Sequence, residues 1–257
     1  MLVNVGLEKK QMASEQPKVE LGFRASLWQW VRRPHWSVVA PVLLIVFTGT
    51  FAWQIFFSQT ELDKGLAALN ATYRVGRPFE ARLAGGGYLP YDSGKAIFDE
   101  RNWKLAEEFL FTRTTSLNTP AALHARGKFK LATQLFDEAM HQFEAALKLD
   151  PNNASLHNDL GVAWLEKATL QRTSPDASQQ FAQSRLHLEQ SLQLDPRSLE
   201  ALFNLALLDF RQGLWKQAEE GWELYLTKDA RSGWAQEAKT YLNQIKTLKQ
   251  QTTNSSV

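Results

Sequence analysis

The stretch Phe136-Asp137-Glu138-Ala139-Met140-His141-Gln142-Phe143-Glu144-Ala145-Ala146-Leu147-Lys148-Leu149-Asp150-Pro151 decides the fold. Its apolar residues recur at steps of three and four, the period of an amphipathic helix. Pro151 cannot continue that helix and biases the residue before it away from helical backbone. A second such pair, Asp195-Pro196, closes another amphipathic run. Counting back from Pro151 gives a 34-residue unit, 120–153, with Gly127, Ala139, Phe143, Ala146 and Pro151 at positions 8, 20, 24, 27 and 32. Two antiparallel helices approach closely only where small side chains meet, so Gly127 is expected to face Ala139 while Phe143 fills the space beside the crossing. Thr119-Pro120 opens the unit.

Working outward, the next unit, 154–198, carries Leu160, Gly161 and Trp164 at positions 7, 8 and 11 and is 11 residues too long. The excess falls between its two helices, where Ser174-Pro175 reads as an N-cap with proline at the first helical position. The third, 199–232, has Leu205-Ala206, Gly213, Trp215, Ala218 and Trp222, with Ala206 expected against Ala218. Residues 233–248 form a capping helix, and 99–118, with Trp103, Ala106 and Leu110 in frame, a degenerate preceding half-unit. Units of this length and pattern resemble the tetratricopeptide repeat (TPR). Each unit cannot bury its apolar face alone, so neighbours stack into a solenoid. The expected fold is all-α, a TPR helical-hairpin solenoid over 120–248, with 249–257 a disordered tail.

Residues 34–60 hold no charged side chain apart from the titratable His35. About 20 apolar residues span a hydrocarbon core, and Trp28, Trp30, Trp36 and Trp53 flank the run, as amphipathic aromatics at headgroup level do. The expectation is a single N-terminal transmembrane helix, 37–57, after a cytoplasmic tail, 1–36. Arg24, Arg32 and Arg33 precede the span, against Lys64 alone in 58–72. That bias puts the N-terminus inside and the TPR domain outside.

Net charge is +2: residues 1–57 carry six Lys/Arg against three Glu, and 58–257 carry 23 against 24 Asp/Glu. A nucleic-acid reader would show a basic face, so no nucleic-acid partner is expected. There is no cysteine, which removes thiol catalysis and Cys-ligated zinc. His35, His124, His141, His157 and His187 form no ligand motif, and those on the repeats read as solvated or packing residues. Gly85-Gly86-Gly87 lacks the context of a phosphate loop. The reading is not an enzyme, with no catalytic, cofactor or metal residues.

Between span and repeats, 58–98 opens with a helix over 60–74 and continues as a loop rich in Gly and Pro, expected to be ordered and docked on the first helices. Its elements Arg77-Pro78-x-Glu80-x-Arg82-Leu83 and Tyr88-x-Pro90-Tyr91 resemble the region before the repeats in bacterial membrane-anchored proteins of the TPR–CHAT type. Asn158-Asp159-Leu160, the long second unit and Ser232-Gly233-Trp234-Ala235 resemble that group too. The resemblance implies a bacterial cytoplasmic membrane and a regulatory setting. It covers roughly 60–245 and stops before the peptidase, whose catalytic His and Cys have no counterpart here.

The concave face of such an array is lined by positions 2, 5, 9, 12 and 13 of each first helix. They include His124, Lys128 and Leu131, then Asn158, Val162 and Leu165, then Phe203, Leu207, Phe210 and Arg211. Lys128, Asp159 and Glu200 do not reproduce the clamp for a peptide's C-terminal carboxylate, so an extended or helical segment with apolar anchors is the expected ligand. Phe203 and Leu207 are the central candidates, outside the helix-packing seam. The function expected is a scaffold with a protein or peptide partner in the groove and a lipid bilayer at its anchor. The alternative is an accessory subunit of an enzyme system, with a separately encoded caspase-like peptidase or a cytochrome c maturation or secretion assembly as its partner.

Overall fold

The computed structural model describes residues 36–73, 76–91 and 99–254, with the side chains of 36–38, 51, 54, 55 and 252–254 left out. The chain divides into a unit ending at Ile55 and a unit beginning at Phe56. The cytoplasmic tail expected over 1–36 lies outside the described residues save Trp36.

In the first unit, the described residues are the start of helix α1, Trp36–Ala71, with Pro41 in its second turn. Val42 through Phe47 are all more than half exposed and Trp53 is 70% exposed. Among the described residues no helix is long and apolar enough to cross a membrane; the side chains of Phe51, Gln54 and Ile55, inside the expected span, are not among them.

The second unit is a succession of helical pairs, and local sequence places each boundary. After α2, Glu100–Glu107, and a short π-helix, Glu108–Arg113, come α3, Pro120–Ala132, and α4, Phe136–Leu149. The next pair is α5, Ala154–Leu170, and α6, Ala177–Leu194. The third is α7, Leu199–Arg211, and α8, Trp215–Lys228, and α9, Gly233–Asn254, follows. Asp99, Thr119, Asn153 and Ser198 each accept a hydrogen bond from the amide three residues on, which satisfies one orphan N–H of a helix start. Ser174-Pro175 is not a cap: α6 begins at Ala177 after a turn in which Ser174 Oγ accepts from the Asp176 amide. Helix α9 continues through 249–254, so that part of the expected tail is helical. Turns α3–α4 and α7–α8 have the same hydrogen bonds, Leu135 N to Lys130 O and Leu214 N to Asp209 O. Gly213 takes the left-handed conformation there at φ 76°, and Gln134 takes it at φ 60°, at the cost a Cβ brings in that region.

The seams follow one rule. A Cβ on Gly127 would overlap the Phe143 ring, so the close approach lies one turn beyond Ala139. A Cβ on Gly161 would sit 2.7 Å from Leu188 Cγ, and one on Gly221 2.9 Å from the Ala206 Cβ, so Ala206 meets Gly221, one turn beyond Ala218. The same geometry recurs earlier: a Cβ on Gly65 would lie 2.7 Å from Leu110 Cδ2. The segment expected to be a half-unit is therefore a whole hairpin. Its first helix is the end of α1, where Leu62 and Leu69 pack with Ala106, Leu110 and Phe129. Its second is α2 with the π-helix, where Trp103 stacks on Phe129 at 3.8 Å. The chain between these two helices leaves at Thr72 and returns at Asp99, whose amide donates to Thr72 O at 2.9 Å.

Candidate functional site: a groove with a strap in it

The described part of the excursion between Thr72 and Asp99, residues 76–91, does not dock on the first helices alone. It crosses the concave face of the array and folds back. At its start Arg77 donates to Glu237 on α9, Nη1 to Oε1 at 2.8 Å and Nη2 to Oε2 at 2.5 Å. Its guanidinium lies 4.3 Å from the centre of the Trp234 ring. Glu80 pairs with Arg211 on α7. The Ala81 amide donates to Glu166 Oε1 on α5 at 3.0 Å. The Arg82 amide donates to Asn204 Oδ1 at 2.8 Å, and its carbonyl accepts from Asn204 Nδ2 at 2.8 Å and Asn158 Nδ2 at 3.1 Å. The Ala84 amide donates to Asp159 Oδ1 at 2.8 Å, and Lys128 Nζ on α3 donates to the Ala84 carbonyl at 2.6 Å. The chain then turns at Gly85, φ 66°. On the way back Tyr88 meets Trp234 edge to face at 5.4 Å, and Pro90 O accepts from the Arg77 amide at 3.0 Å. Gly233 is needed at that contact, since a Cβ there would overlap the Tyr88 ring.

The groove therefore handles main-chain groups with side chains. Non-helical backbone has no internal partners, and burying an unpaired amide or carbonyl costs about as much as a lost hydrogen bond. Asn158 and Asn204, both buried, supply donor and acceptor together, and Asn204 Nδ2 also donates to Asn158 Oδ1 at 2.9 Å. Asp159 is fully buried. Burial alone would raise its pKa, but Lys128 and then His124, whose Nε2 is 2.7 Å away, hold the carboxyl below the usual range. Glu166 is pushed up to about 7 by burial, which the Ala81 amide and Arg77 only partly offset. The Arg82 guanidinium reaches Tyr225 Oη at 2.9 Å and Glu200 Oε1 at 3.2 Å.

The residues expected to line an open groove divide in two. His124, Lys128, Asn158 and Arg211 meet the strap or the carboxylate that holds it. Leu131, Val162, Leu165, Phe203 and Leu207 are all 1% exposed or less and belong to the core. Phe203 contacts Trp222, Tyr225 and Trp234 edge to face, so it lies in the packing seam and not outside it. Phe210 is half-buried against Trp215 and Tyr241. Asn204, Tyr225, Trp234 and Glu237 are site residues that the repeat frame did not single out; a lone amide inside Leu202-Phe203-Asn204-Leu205-Ala206 was the available signal. His157 and His187 are packing residues: His157 Nδ1 is 3.2 Å from His187 Nδ1, and burial, then His157, lower the His187 pKa to about 4.

The helical pairs and their concave face define a TPR solenoid, and comparison with known proteins agrees. A family described as TPR repeat matches residues 122–167, and one described as Tetratricopeptide repeat matches 176–233. TPR repeats are thus present in this chain; the matches lie within the repeats and do not bear on the TPR–CHAT resemblance. Among solved structures the chain is similar to the Sgt2 TPR domain from Aspergillus fumigatus, at 19% identity and TM-score 0.44 over 54% of this chain and 83% of that one. It is similar to the Arabidopsis OM64 TPR domain, at 16% identity and TM-score 0.42 over 49% and 94%. It is also similar to the second TPR domain of human RPAP3, solved in complex with the HSP70 peptide SGPTIEEVD, at 18% identity and TM-score 0.40 over 49% and 98%. No curated protein matches the chain.

Proposed function

We propose that the chain is a membrane-anchored scaffold whose TPR groove holds a non-helical segment of a protein partner, outside the cytoplasm of a bacterium. One observation carries the groove reading: five side chains on α3, α5 and α7 bind the N–H and C=O groups of residues 81, 82 and 84. Recognition of that kind takes main chain from any source, with side-chain pockets adding specificity. The acidic peptide of the RPAP3 complex suits this groove poorly, because the carboxylates of Asp159, Glu200 and Glu237 already face the occupant. The anchor reading rests on the uncharged run 38–57 and its tryptophans, and the regulatory setting on the Arg-Pro and Tyr-x-Pro-Tyr elements.

The test is capture from membranes with wild-type and Asn158→Ala/Asn204→Ala chains, after circular dichroism shows both to be helical. Loss of one partner common to wild-type captures supports the groove; identical partner sets sink it. Carbonate extraction of the same membranes decides the anchor: release of the intact chain into the soluble fraction removes that part of the reading.

A further inference from the structure

Residues 77–84 occupy the surface to which the proposed function assigns a partner, and three observations describe how. Six of the hydrogen bonds that hold them run to main-chain atoms of Ala81, Arg82 and Ala84, which a second peptide would present equally well. The excursion is closed at its base by the Asp99 amide on Thr72 O, so the hairpin of α1 and α2 has a closure of its own that does not depend on residues 77–84. The turn that carries it back is Gly85-Gly86-Gly87, with nothing within 4 Å of a Cβ at Gly85 or Gly87.

We propose that 77–84 is a tethered occupant of the groove, displaced in trans by a segment of a partner protein with two arginines five residues apart. The chemistry of that segment is read off the strap. Arg82 lies between Glu200 and the Tyr225 hydroxyl, and Arg77 forms a two-pronged pair with Glu237 across the face of Trp234. Planar guanidinium suits both places and ammonium does not. Ala81 is 1% exposed and Ala84 8%, so those two positions admit only small side chains. Phe79 and Leu83 pack on the apolar core, so the incoming segment is Arg, any residue, an apolar residue, any residue, a small residue, Arg, an apolar residue, a small residue. The tether sets a high local concentration of the strap, and the partner binds only as fast and as tightly as this competition permits. This inference rests on the groove being the binding surface.

The experiment uses the full-length chain and a fluorescent peptide of the strap's own sequence, Arg-Pro-Phe-Glu-Ala-Arg-Leu-Ala, followed by anisotropy. Arg77→Ala/Arg82→Ala loosens the strap and leaves every groove side chain in place. The peptide should bind this variant at least about ten-fold more tightly than wild type, and a peptide with Glu at the second arginine should bind neither. A folded variant with no gain overturns strap release. Binding that survives added Asn158→Ala/Asn204→Ala overturns the groove reading itself. Hydrogen exchange on the wild type decides the matter even if the variant fails to fold. The amides of Ala81, Arg82 and Ala84 should exchange about a hundredfold faster than those of Leu160 and Ala206, and equal protection makes the strap a permanent part of the core and ends the proposal.

Discussion

The seams between paired helices and the groove beneath the strap solve opposite problems. At the seams, Gly127 under Phe143, Gly161 under Leu188 and Gly221 under Ala206 bring apolar surfaces together, and the buried hydroxyls of Ser184 and Ser191 there donate to helix carbonyls, Gly161 O and Ala154 O. In the groove, buried Asn158, Asp159 and Asn204 exist to satisfy backbone that has no helix of its own. The first kind of contact is fixed by shape, and its failure is a loss of folding. The second is fixed by hydrogen bonds that an equivalent main chain can take over, so its failure is an exchange of occupants.

The largest effect is expected where the two regions touch. Phe203 sits at a position that in the repeat frame faces the groove, yet its ring is fully buried, 4.8 Å from Trp222 and 5.0 Å from Trp234. Phe203→Ala should cost about 3–5 kcal/mol and appear in urea unfolding of the whole chain, because neighbouring repeats lean on one another. A variant with unchanged stability would return Phe203 to the groove. A smaller loss is expected purely at a seam. Gly161→Leu places its first carbon against Leu188 and 3.2 Å from the Leu188 amide nitrogen, and overpacking of this kind costs about 1–3 kcal/mol. The thermal midpoint should fall while peptide capture by the remaining folded chain is kept. An unchanged melt would mean the crossing is not at Gly161.

The same division explains what the sequence makes legible. Seams repeat, so the spacing of Gly127, Phe143 and Pro151 locates the helices of the three full repeats. The repeat frame fails where an insertion breaks the period. Gly65 and Leu110 make the same contact as Gly161 and Leu188, but the 27 residues between Ala71 and Asp99, the strap among them, hide the pairing, and only the second helix shows in frame. The groove is harder still. Helix-face positions name Lys128, Asn158 and Arg211 as lining residues, but not what lies on them, since a segment recognised through its main chain leaves little mark on composition. Phe203 misleads for a related reason: the position lines an open face only until Trp234 arrives from α9 and covers it.

The smallest effect separates the strap from the seams by pH. Glu166 has its pKa raised from the ordinary 4.5 to about 7, chiefly by burial. The folded carboxyl therefore keeps its proton between those values while the unfolded one has lost it. The stability it allows is fully present below about 4.5 and declines as pH rises to about 7. A shift of that size corresponds to about 3 kcal/mol, trimmed to roughly 1–2 because Glu166 keeps some exposure to solvent. His187 runs the other way: its pKa is lowered to about 4, so its contribution is present above 6.5 and is lost as pH falls toward 4. The two trends overlap and conceal each other in wild type, and only a difference isolates one of them. Glu166→Gln keeps an oxygen for the Ala81 amide and cannot ionise. Urea unfolding of both chains from pH 5 to pH 8 should show the variant equal to wild type at the acid end and about 1–2 kcal/mol more stable at pH 8. The gap should shrink in the Arg77→Ala/Arg82→Ala background, where the strap no longer keeps water from the carboxyl. A gap of constant size across the range would mean that Glu166 is already solvated in wild type and that the strap leaves this part of the groove open.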